Sequence, residues 1–307
     1  VRPDRMIELP LPFREAKPTF PFNRTIALKR TESALKSLRK TPEFFQKTLD
    51  KFALNVDREI PRFEPVPQEH RFNKDGHAYY IPQFSVNQKG KARIVFDSAA
   101  KTQGVCINDA LRQGPDRNNA LRGVIHRFRR HPYAITADVE NMFHQFAIPE
   151  EQKTYLRFFW FKDNDPDAPL IEWWSKVHLI GLNSSPAIAN TGIRFAVRQS
   201  PPANGDQWIK EDDLLDPIHP NATRTQDPTE KLLAEGFYVD DLLASQPTEE
   251  DALRLIQTAI SRLERYDLNL CKVQSNAKLV RTAYPLKKYS QTSSASKKKT
   301  LQTRQAH

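Results

Sequence analysis

Three aspartates are the residues of this chain best suited to chemistry. Asp138 directly follows an apolar stretch at 133–137, and Asp240 and Asp241 lie together inside the apolar run 237–243. Adjacent carboxylates among apolar residues are costly to bury, because like charges repel strongly once they lose water. A divalent cation relieves that cost, and three carboxylates form the all-oxygen kind of site that suits Mg²⁺. Two such ions about 3.5–4 Å apart would stabilise the attacking and leaving oxygens of a phosphoryl or nucleotidyl transfer. The alternative is that an Asp-Asp pair is ordinary turn chemistry.

The segments around these aspartates predict the elements that position them. The stretch 133–137 predicts a buried strand that leads into Asp138, and 237–244 predicts a hairpin around the aspartate pair. Thr248 predicts the cap of a helix. The core face of that helix is expected to be Leu253, Ile256, Ile260 and Leu263.

The rest of the chain also alternates between helical and extended patterns. Two short helices are predicted on either side of Thr41-Pro42, and a basic-tipped hairpin is predicted from strands at 79–81 and 92–96 with a turn at 87–90. The polar, Pro-rich segment 200–230 predicts a surface excursion. This alternation favours the α+β or α/β class.

Charge is unevenly distributed along the 307 residues. The net charge is +10, but segment 70–131 has 12 Lys/Arg against 4 Asp/Glu, whereas segment 132–280 has 14 against 23. A basic segment beside an acidic one is typical of an enzyme that binds a polyphosphate with one part and cations with another. Ordinary surface variation is the alternative.

Composition excludes several classes of protein. Nine glycines do not form a P-loop or dinucleotide-binding pattern. Two cysteines, Cys106 and Cys271, exclude a disulfide scaffold or a Cys-rich zinc module and fit a reducing compartment. No apolar run approaches the roughly 18 residues that span a bilayer. The chain begins with neither Met nor a signal peptide, so we expect a fragment or a processed piece.

Several sequence blocks occur in an order that is typical of one family. They are Arg-Ile-Val-Phe-Asp-Ser-Ala-Ala-Lys (93–101), Ile-Asn-Asp-Ala-Leu-Arg-Gln-Gly-Pro (107–115), Ala-Asp-Val-Glu-Asn-Met-Phe-His-Gln (137–145) and Tyr-Val-Asp-Asp (238–241), with Ser-Ser-Pro (184–186) in support. In this order the chain resembles the reverse transcriptase of BEL/Pao-type LTR retrotransposons, from about residue 9 to residue 276. A lone Tyr-x-Asp-Asp would be weak evidence, whereas ordered blocks are specific.

The resemblance implies a metal role for the aspartates. Asp138, Asp240 and Asp241 would hold two Mg²⁺ ions, for which Mn²⁺ can substitute, and the Val139 carbonyl would be a further oxygen ligand. The reaction implied is attack of a primer 3′-hydroxyl on the α-phosphate of a deoxynucleotide.

The resemblance also implies roles for basic residues. Arg93 would bind the nucleotide triphosphate, since its planar fork matches phosphate oxygens. Lys91 or Lys89 would share that role, because the hairpin tip does not align well enough to choose between them. Lys272 is the candidate proton donor to departing pyrophosphate. A solvated lysine is the alternative at that position.

Three further residues are implied to shape the nucleotide and primer site. Phe143 would fill the space of a 2′-hydroxyl and so select deoxynucleotides, although an isolated Phe is also a common core residue. Gly181 would let the backbone approach the nucleotide closely. Tyr238 would steady the primer end.

The fold implied is α+β, a right-hand polymerase fold with an antiparallel palm sheet and most of the thumb missing. Residues 1–69 would be an N-terminal extension that packs on the fingers, and 281–307 a basic, disordered tail. The reverse transcriptase region, 70–280, would divide into fingers at about 70–131 and 145–180 and a palm at about 132–144 and 181–280.

The function expected is an RNA-directed DNA polymerase of a retrotransposon. Its partners would be an RNA or DNA template with primer and dNTPs, with no membrane. Protease, ribonuclease H and integrase domains would be adjacent in the full element, and the location would be intracellular, in cytoplasmic particles. Two alternatives stay open: an inactive, decaying or domesticated fragment that only binds nucleic acid, and an unrelated Mg²⁺-dependent phosphohydrolase.

Overall fold

A computed structural model describes residues 1–72, 75–198 and 228–285. The strands are β1 (Ile7–Glu8), β2 (Phe63–Pro65), β3 (Gln83–Gln88), β4 (Lys91–Phe96), β5 (Tyr133–Val139), β6 (Phe146–Ala147), β7 (Arg157–Phe161), β8 (Leu170–Ser175), β9 (Phe237–Tyr238), β10 (Asp241–Gln246) and β11 (Leu270–Ser275). The helices are α1 (Arg24–Leu38), α2 (Pro42–Val56), α3 (Ile107–Ala110), α4 (Leu121–Phe128), α5 (Ser185–Arg198), α6 (Pro228–Gly236), α7 (Glu249–Glu264) and α8 (Lys278–Ala283). Short 3-10 helices lie at Gln68–His70, Met142–Gln145, Glu150–Tyr155 and Lys162–Asn164.

A four-stranded antiparallel sheet in the order β11-β5-β10-β9 holds the three aspartates. Because side chains alternate across a strand, one face of this sheet packs on the core and the other carries Asp138 and Asp241. The apolar face, with α5 and α7, forms what we call the sheet core, whose strand members include Ile135, Ala137, Val139, Leu242 and Ala244. The predicted strand before Asp138 and the predicted hairpin at 237–244 are both confirmed.

A second core, which we call the aromatic core, lies around a three-stranded sheet in the order β2-β8-β7. Phe52 of α2 stacks on Trp160 of β7 with ring centroids 4.7 Å apart, and it meets Trp173 of β8 edge-on at 5.2 Å. Offset and edge-to-face ring pairs add to the free energy gained from burial. The N-terminal helices join this core, since α1 packs against β3 and β7 and α2 packs against β4.

The basic-tipped hairpin is found, but its first strand is displaced from the predicted position. Strands β3 and β4 are joined by Lys89 and Gly90, both with positive φ (52° and 80°), as a two-residue hairpin turn favours. A loop of two residues sets the register, so pairing extends from Gln88–Lys91 out to Gln83–Phe96. The predicted strand at 79–81 is therefore wrong: this segment lies beside β7, where Tyr80 bridges Arg157.

Two predicted helix boundaries, at Pro42 and at Thr248, are confirmed. Pro42 begins α2 immediately after the break between α1 and α2. The Thr248 hydroxyl accepts a hydrogen bond from the Asp251 backbone N–H at 3.1 Å and so caps α7. The core face of α7 is rotated from the prediction, because its small residues allow close packing on the sheet. Its buried residues are Ala252, Leu255, Ile256, Ala259 and Leu263, while Leu253 and Ile260 are only partly buried.

The fold class is α+β, with mostly antiparallel sheets. Its division into fingers and palm stays a prediction. Most of the surface excursion predicted at 200–230 lies outside the described residues, as does the tail from residue 286; residues 281–283 belong to α8. Within the described ranges, no helix combines the length and the apolarity that a membrane span needs.

Candidate active site

Antiparallel pairing of β5 with β10 brings two of the predicted aspartates together. The pairing places Asp138 directly opposite Asp241. Residues directly opposite each other in adjacent strands share one face, with Cβ atoms about 4.5–5.5 Å apart. Their immediate neighbours in register, Ala137 and Leu242, lie on the core-facing side. The two carboxylates therefore lie on the face of the sheet opposite the sheet core.

The turn before β10 places the third aspartate. Val239 and Asp240 connect β9 to β10, and Val239 adopts a left-handed φ of 57°, which is rare for a β-branched residue. The Val139 N–H donates to the Asp240 carbonyl at 2.8 Å and so ties the turn to the end of β5. Strained backbone of this kind is typical of functional sites, where surrounding structure holds it in place. The turn thus keeps Asp240 beside Asp138 and Asp241.

Strand β11 adds a cation and a thiol on the other side of β5. A bulge follows Cys271, and Lys272 within it has a positive φ of 53°. Bulges redirect side chains, and here the Lys272 Nζ lies 2.8 Å from Asp138 Oδ2. The Cys271 thiol lies 3.5 Å from Asp138 Oδ1; burial and then the Asp138 charge raise the pKa of this thiol to about 12. Lys272 thus contacts a predicted metal ligand directly, and its role as proton donor stays a prediction.

Negative charge in the site is only partly compensated. Partial desolvation raises the pKa of the Asp241 carboxyl, even though the residue is exposed at the start of β10, and the neighbouring Asp240 and Asp138 raise it further. Lys272 opposes that shift. A raised carboxyl pKa shows that the ionised form is disfavoured in this structure. A bound cation would favour the ionised form.

The predicted triphosphate ligands lie near this carboxylate site. Arg93 and Lys91 lie on β4, both exposed. Together with Lys272, their charges lower the pKa of a half-buried lysine on α2, Lys51. The Lys51 Nζ donates to Asn141 Oδ1 at 2.9 Å, just beyond the end of β5. Positive charges of β4 and β11 therefore act on one lysine of α2, whose ammonium lies at the end of β5.

Phe143 and Tyr238 lie close to the aspartates along the chain. Asn141 has a left-handed φ of 47° and turns the chain out of β5 into the 3-10 helix that contains Phe143. The Phe143 ring is half-buried against the sheet core. Tyr238 pairs with Asp241 across the hairpin and is also half-buried. Their roles in selecting deoxynucleotides and in holding the primer stay predictions.

The requirement for glycine at position 181 has a cause within the protein. Gly181 has a φ of 120°, and a Cβ added there would lie 2.1 Å from the Phe96 carbonyl oxygen at the end of β4. Only glycine fits so close to another backbone. This contact explains the residue without a nucleotide, and the predicted nucleotide contact stays a prediction.

The donor atoms of the aspartates fit Mg²⁺, but their side chains do not form a finished coordination shell. Carboxylate oxygens are the ligands that this hard cation prefers, and the charges of Asp240 and Asp138 add to the effect of burial in raising the pKa of Asp241. Across residues 1–72, 75–198 and 228–285, no three carboxylate, imidazole or thiol groups already converge as a metal cluster. The Asp138 carboxylate is instead paired with Lys272. Val139, predicted to supply a carbonyl ligand, is buried beside Asp138.

Two residues of this region were not singled out by sequence reasoning. Lys51 lies on a helix far from the aspartates in sequence, and no local pattern distinguishes it from Lys47 one turn earlier. Cys271 is opposite Asp138 only because β11 pairs with β5. Strand pairing and helix packing, rather than a motif, bring both residues to the site.

Comparisons with known proteins give little further identification. No protein-family model matches the chain, and no curated protein matches it. Among solved structures, one similar chain is a crystal structure of the prototype foamy virus protease-reverse transcriptase, a selenomethionine-labelled CSH mutant. The two are 14% identical with a TM-score of 0.46, and the match covers 86% of this chain and 27% of that one. The chain thus spans about a quarter of the length of that viral protein. What the fold and site define is an α+β protein with a carboxylate site on an antiparallel sheet.

Proposed function

We propose that this chain is the polymerase region of a retrotransposon reverse transcriptase of the BEL/Pao type, an RNA-directed DNA polymerase. The observation that carries the proposal is the pairing of Asp138 with Asp241. These residues come from two separate sequence blocks of that family, and chance resemblance of short motifs gives no reason for them to meet. If Asp240 and Asp241 served only to form the turn, there would be no reason for a third carboxylate, Asp138, to lie opposite them.

The site's residues divide the work of nucleotidyl transfer. Asp138, Asp240 and Asp241 would hold two Mg²⁺ ions, which would supply charge stabilisation for the attacking and leaving oxygens. Arg93, with Lys91, holds the triphosphate by charge-assisted hydrogen bonds. Lys272, whose Nζ lies 2.8 Å from Asp138 Oδ2, is the proposed proton donor to the departing pyrophosphate.

The substrate side of the proposal follows from the same region. The template with its primer lies along the basic segment 70–131, and dNTPs enter beside β4. Phe143 excludes the ribose 2′-hydroxyl, and Tyr238 contacts the primer end. The wider element supplies the protease, ribonuclease H and integrase.

Primer extension on poly(rA)/oligo(dT) with dTTP and Mg²⁺ tests the proposal. Asp240→Asn is expected to lower the rate by about a thousandfold, because metal ions supply several kcal/mol of transition-state stabilisation. Binding of template-primer, measured by fluorescence anisotropy, should remain. Full extension by the Asp240→Asn variant would remove the metal role, and absence of extension by the wild type with intact binding would favour the inactive fragment.

Nucleotide selection separates a polymerase from a phosphohydrolase. Phe143→Val is expected to admit ribonucleotides, measured as the ratio of kcat/KM for dTTP and UTP. A phosphohydrolase would release phosphate from dTTP without a primer. An unchanged ratio in the variant would remove Phe143 from the proposed site.

A further inference from the structure

Lys51 occupies an unusual position for a lysine of the N-terminal segment. It lies on α2, inside the segment 1–69 that was expected to serve as an extension. Its side chain is half-buried and its Nζ donates to Asn141 Oδ1 at 2.9 Å. Asn141 follows Asp138 by one short turn of chain. The ammonium group is therefore held at the end of β5, next to the proposed active site.

The surroundings of Lys51 are electrostatically unfavourable for a cation. Burial lowers the pKa of its ammonium, and the charges of Arg93, Lys91 and Lys272 lower it further. Glu140 is the strongest of the charges that act on Lys51 and opposes the shift; its carboxylate accepts a hydrogen bond from Asn269 Nδ2 at 2.6 Å. Among the described residues, Lys51 forms no ion pair, and its hydrogen-bond acceptor is a neutral amide. A partly desolvated ammonium among other cations costs free energy unless an anion is bound there.

Two other lysines of the chain form ion pairs with carboxylates, as is typical of lysines with a structural role. Lys153 is 3% exposed, and its Nζ contacts carboxylates of both Glu64 and Glu150 at 2.6 Å. Lys47, one turn before Lys51 on α2, pairs with Glu43 at 2.7 Å. Lys51 has neither arrangement. The missing negative charge is the property that a polyphosphate would supply.

We propose that Lys51 binds the triphosphate of the incoming nucleotide together with Arg93 and Lys91, so that α2 completes the nucleotide site. This inference rests on the proposed function and assigns part of its nucleotide specificity to the segment before residue 70. Phosphate oxygens accept from Lys51 as well as from the guanidinium of Arg93. The hydrogen bond to Asn141 orients Lys51 towards the same end of β5 as the aspartates.

Binding of inorganic tripolyphosphate and of Mg-dTTP, measured by isothermal titration calorimetry, tests this assignment without turnover. Lys51→Gln should weaken both by about tenfold, the size expected for one hydrogen bond between charged groups. Lys51→Arg should retain most of the affinity, and Lys47→Gln on the same helix should match the wild type. Equal affinity in Lys51→Gln and wild type would overturn the proposal.

Thermal unfolding without ligand separates a binding role from a structural one. Loss of an uncompensated cation should leave the Tm of Lys51→Gln unchanged or higher, whereas loss of a structural contact would lower it. A lower Tm with unchanged tripolyphosphate affinity would therefore also overturn the proposal.

In the wild-type chain, tripolyphosphate should protect Lys51, but not Lys47, from acetylation measured by mass spectrometry. This measurement needs no variant to fold.

Steady-state primer extension distinguishes failure of this inference from failure of the proposed function. The expected result is a dTTP KM about tenfold higher in Lys51→Gln, with the Kd for template-primer unchanged. Extension with an unchanged KM would remove Lys51 while leaving the polymerase assignment. Lys51-dependent binding of tripolyphosphate in a protein that extends no primer would remove the polymerase assignment while leaving the phosphate site.

Discussion

Two charged clusters of this protein use the same residue types in opposite ways. In the cluster beside the aromatic core, Glu172 is 1% exposed and accepts from Arg157 Nη1 at 3.2 Å, Arg24 Nε at 2.7 Å and Tyr80 Oη at 2.9 Å. The candidate active site holds three carboxylates, and the Lys272 ammonium contacts one of them, Asp138, and lowers the pKa of another, Asp241. One cluster is complete without a ligand, and the other is not.

The difference indicates which charges are structural. A buried carboxylate with its own cations stabilises the arrangement of α1, β7 and β8, and removing it leaves cations without a partner. Like charges held together at a surface edge destabilise the protein and are retained where a ligand uses them. The two clusters should therefore respond to mutation with opposite changes in stability.

The largest expected effect is at Glu172. Glu172→Gln should lower the free energy of unfolding by about 3–5 kcal/mol, because the buried charge of Arg157 and the half-buried charge of Arg24 lose their counterion. Urea denaturation followed by circular dichroism measures it. Glu43→Gln, at an exposed ion pair on α2, is the matched control and should show no measurable loss. If Glu172→Gln were as stable as that control, Glu172 would not be a structural acid and the difference between the two clusters would be contradicted.

A variant of Gly181 tests whether this residue is needed for the structure of the protein or for its predicted contact with the nucleotide. Gly181→Ala should cost about 3 kcal/mol of unfolding free energy, because the new Cβ meets the Phe96 carbonyl. Gly104→Ala is the control, since Gly104 also has a positive φ (82°) but open space around it, and it should cost less. Equal losses in chemical denaturation would show that the contact with Phe96 is unimportant.

His144 makes the junction between α2 and the sheet region sensitive to acid. It is buried, its Nδ1 lies 3.0 Å from Asn55 Oδ1, and burial followed by the charges of Lys51, Arg62 and Arg58 lowers its pKa to about 3. The unfolded chain takes up a proton near pH 6.5 and the folded chain does not. Unfolding free energy should therefore fall by about 1.4 kcal/mol per pH unit below pH 6.5 on account of this residue, a loss that continues to about pH 3.

The pH dependence is measured by urea denaturation between about pH 7 and about pH 4.5, which covers the region below the ordinary histidine pKa. In His144→Gln, the slope of unfolding free energy against pH should be smaller than in the wild type, because one group fewer takes up a proton on unfolding. An identical slope in the variant and the wild type would show that His144 takes up its proton without unfolding.

The smallest expected effect is at Asp241 and has the opposite sign to that at Glu172. Asp241→Asn should leave the unfolding free energy unchanged or raise it by less than about 1 kcal/mol, since solvent screens the repulsion at this exposed position. The comparison is made in Mg²⁺-free buffer with a chelator. A clear loss of stability would place Asp241 with Glu172 among the structural acids.

Local sequence patterns were enough to predict most elements around the site. The apolar stretch before Asp138 and the apolar run around Asp240 form strands, as predicted. A short apolar run is a local signal that can be recognised within a few residues. Thr248 and Pro42 begin their helices for equally local reasons, a side-chain cap and a fixed φ. The strand at 79–81 was misplaced because the two-residue turn at Lys89, rather than strand propensity, sets the hairpin register.

The amino-acid sequence by itself determined which residues could carry charge and chemistry, and in which elements they lie. Only the tertiary structure decided that Asp138 is opposite Asp241, that a bulge places Lys272 against Asp138, and that Lys51 lies at the end of β5. The physical reason is that strand register and helix packing depend on contacts between segments far apart in the chain. A shift of one residue in the pairing of β5 with β10 would move an aspartate to the core face, and no local preference specifies that register.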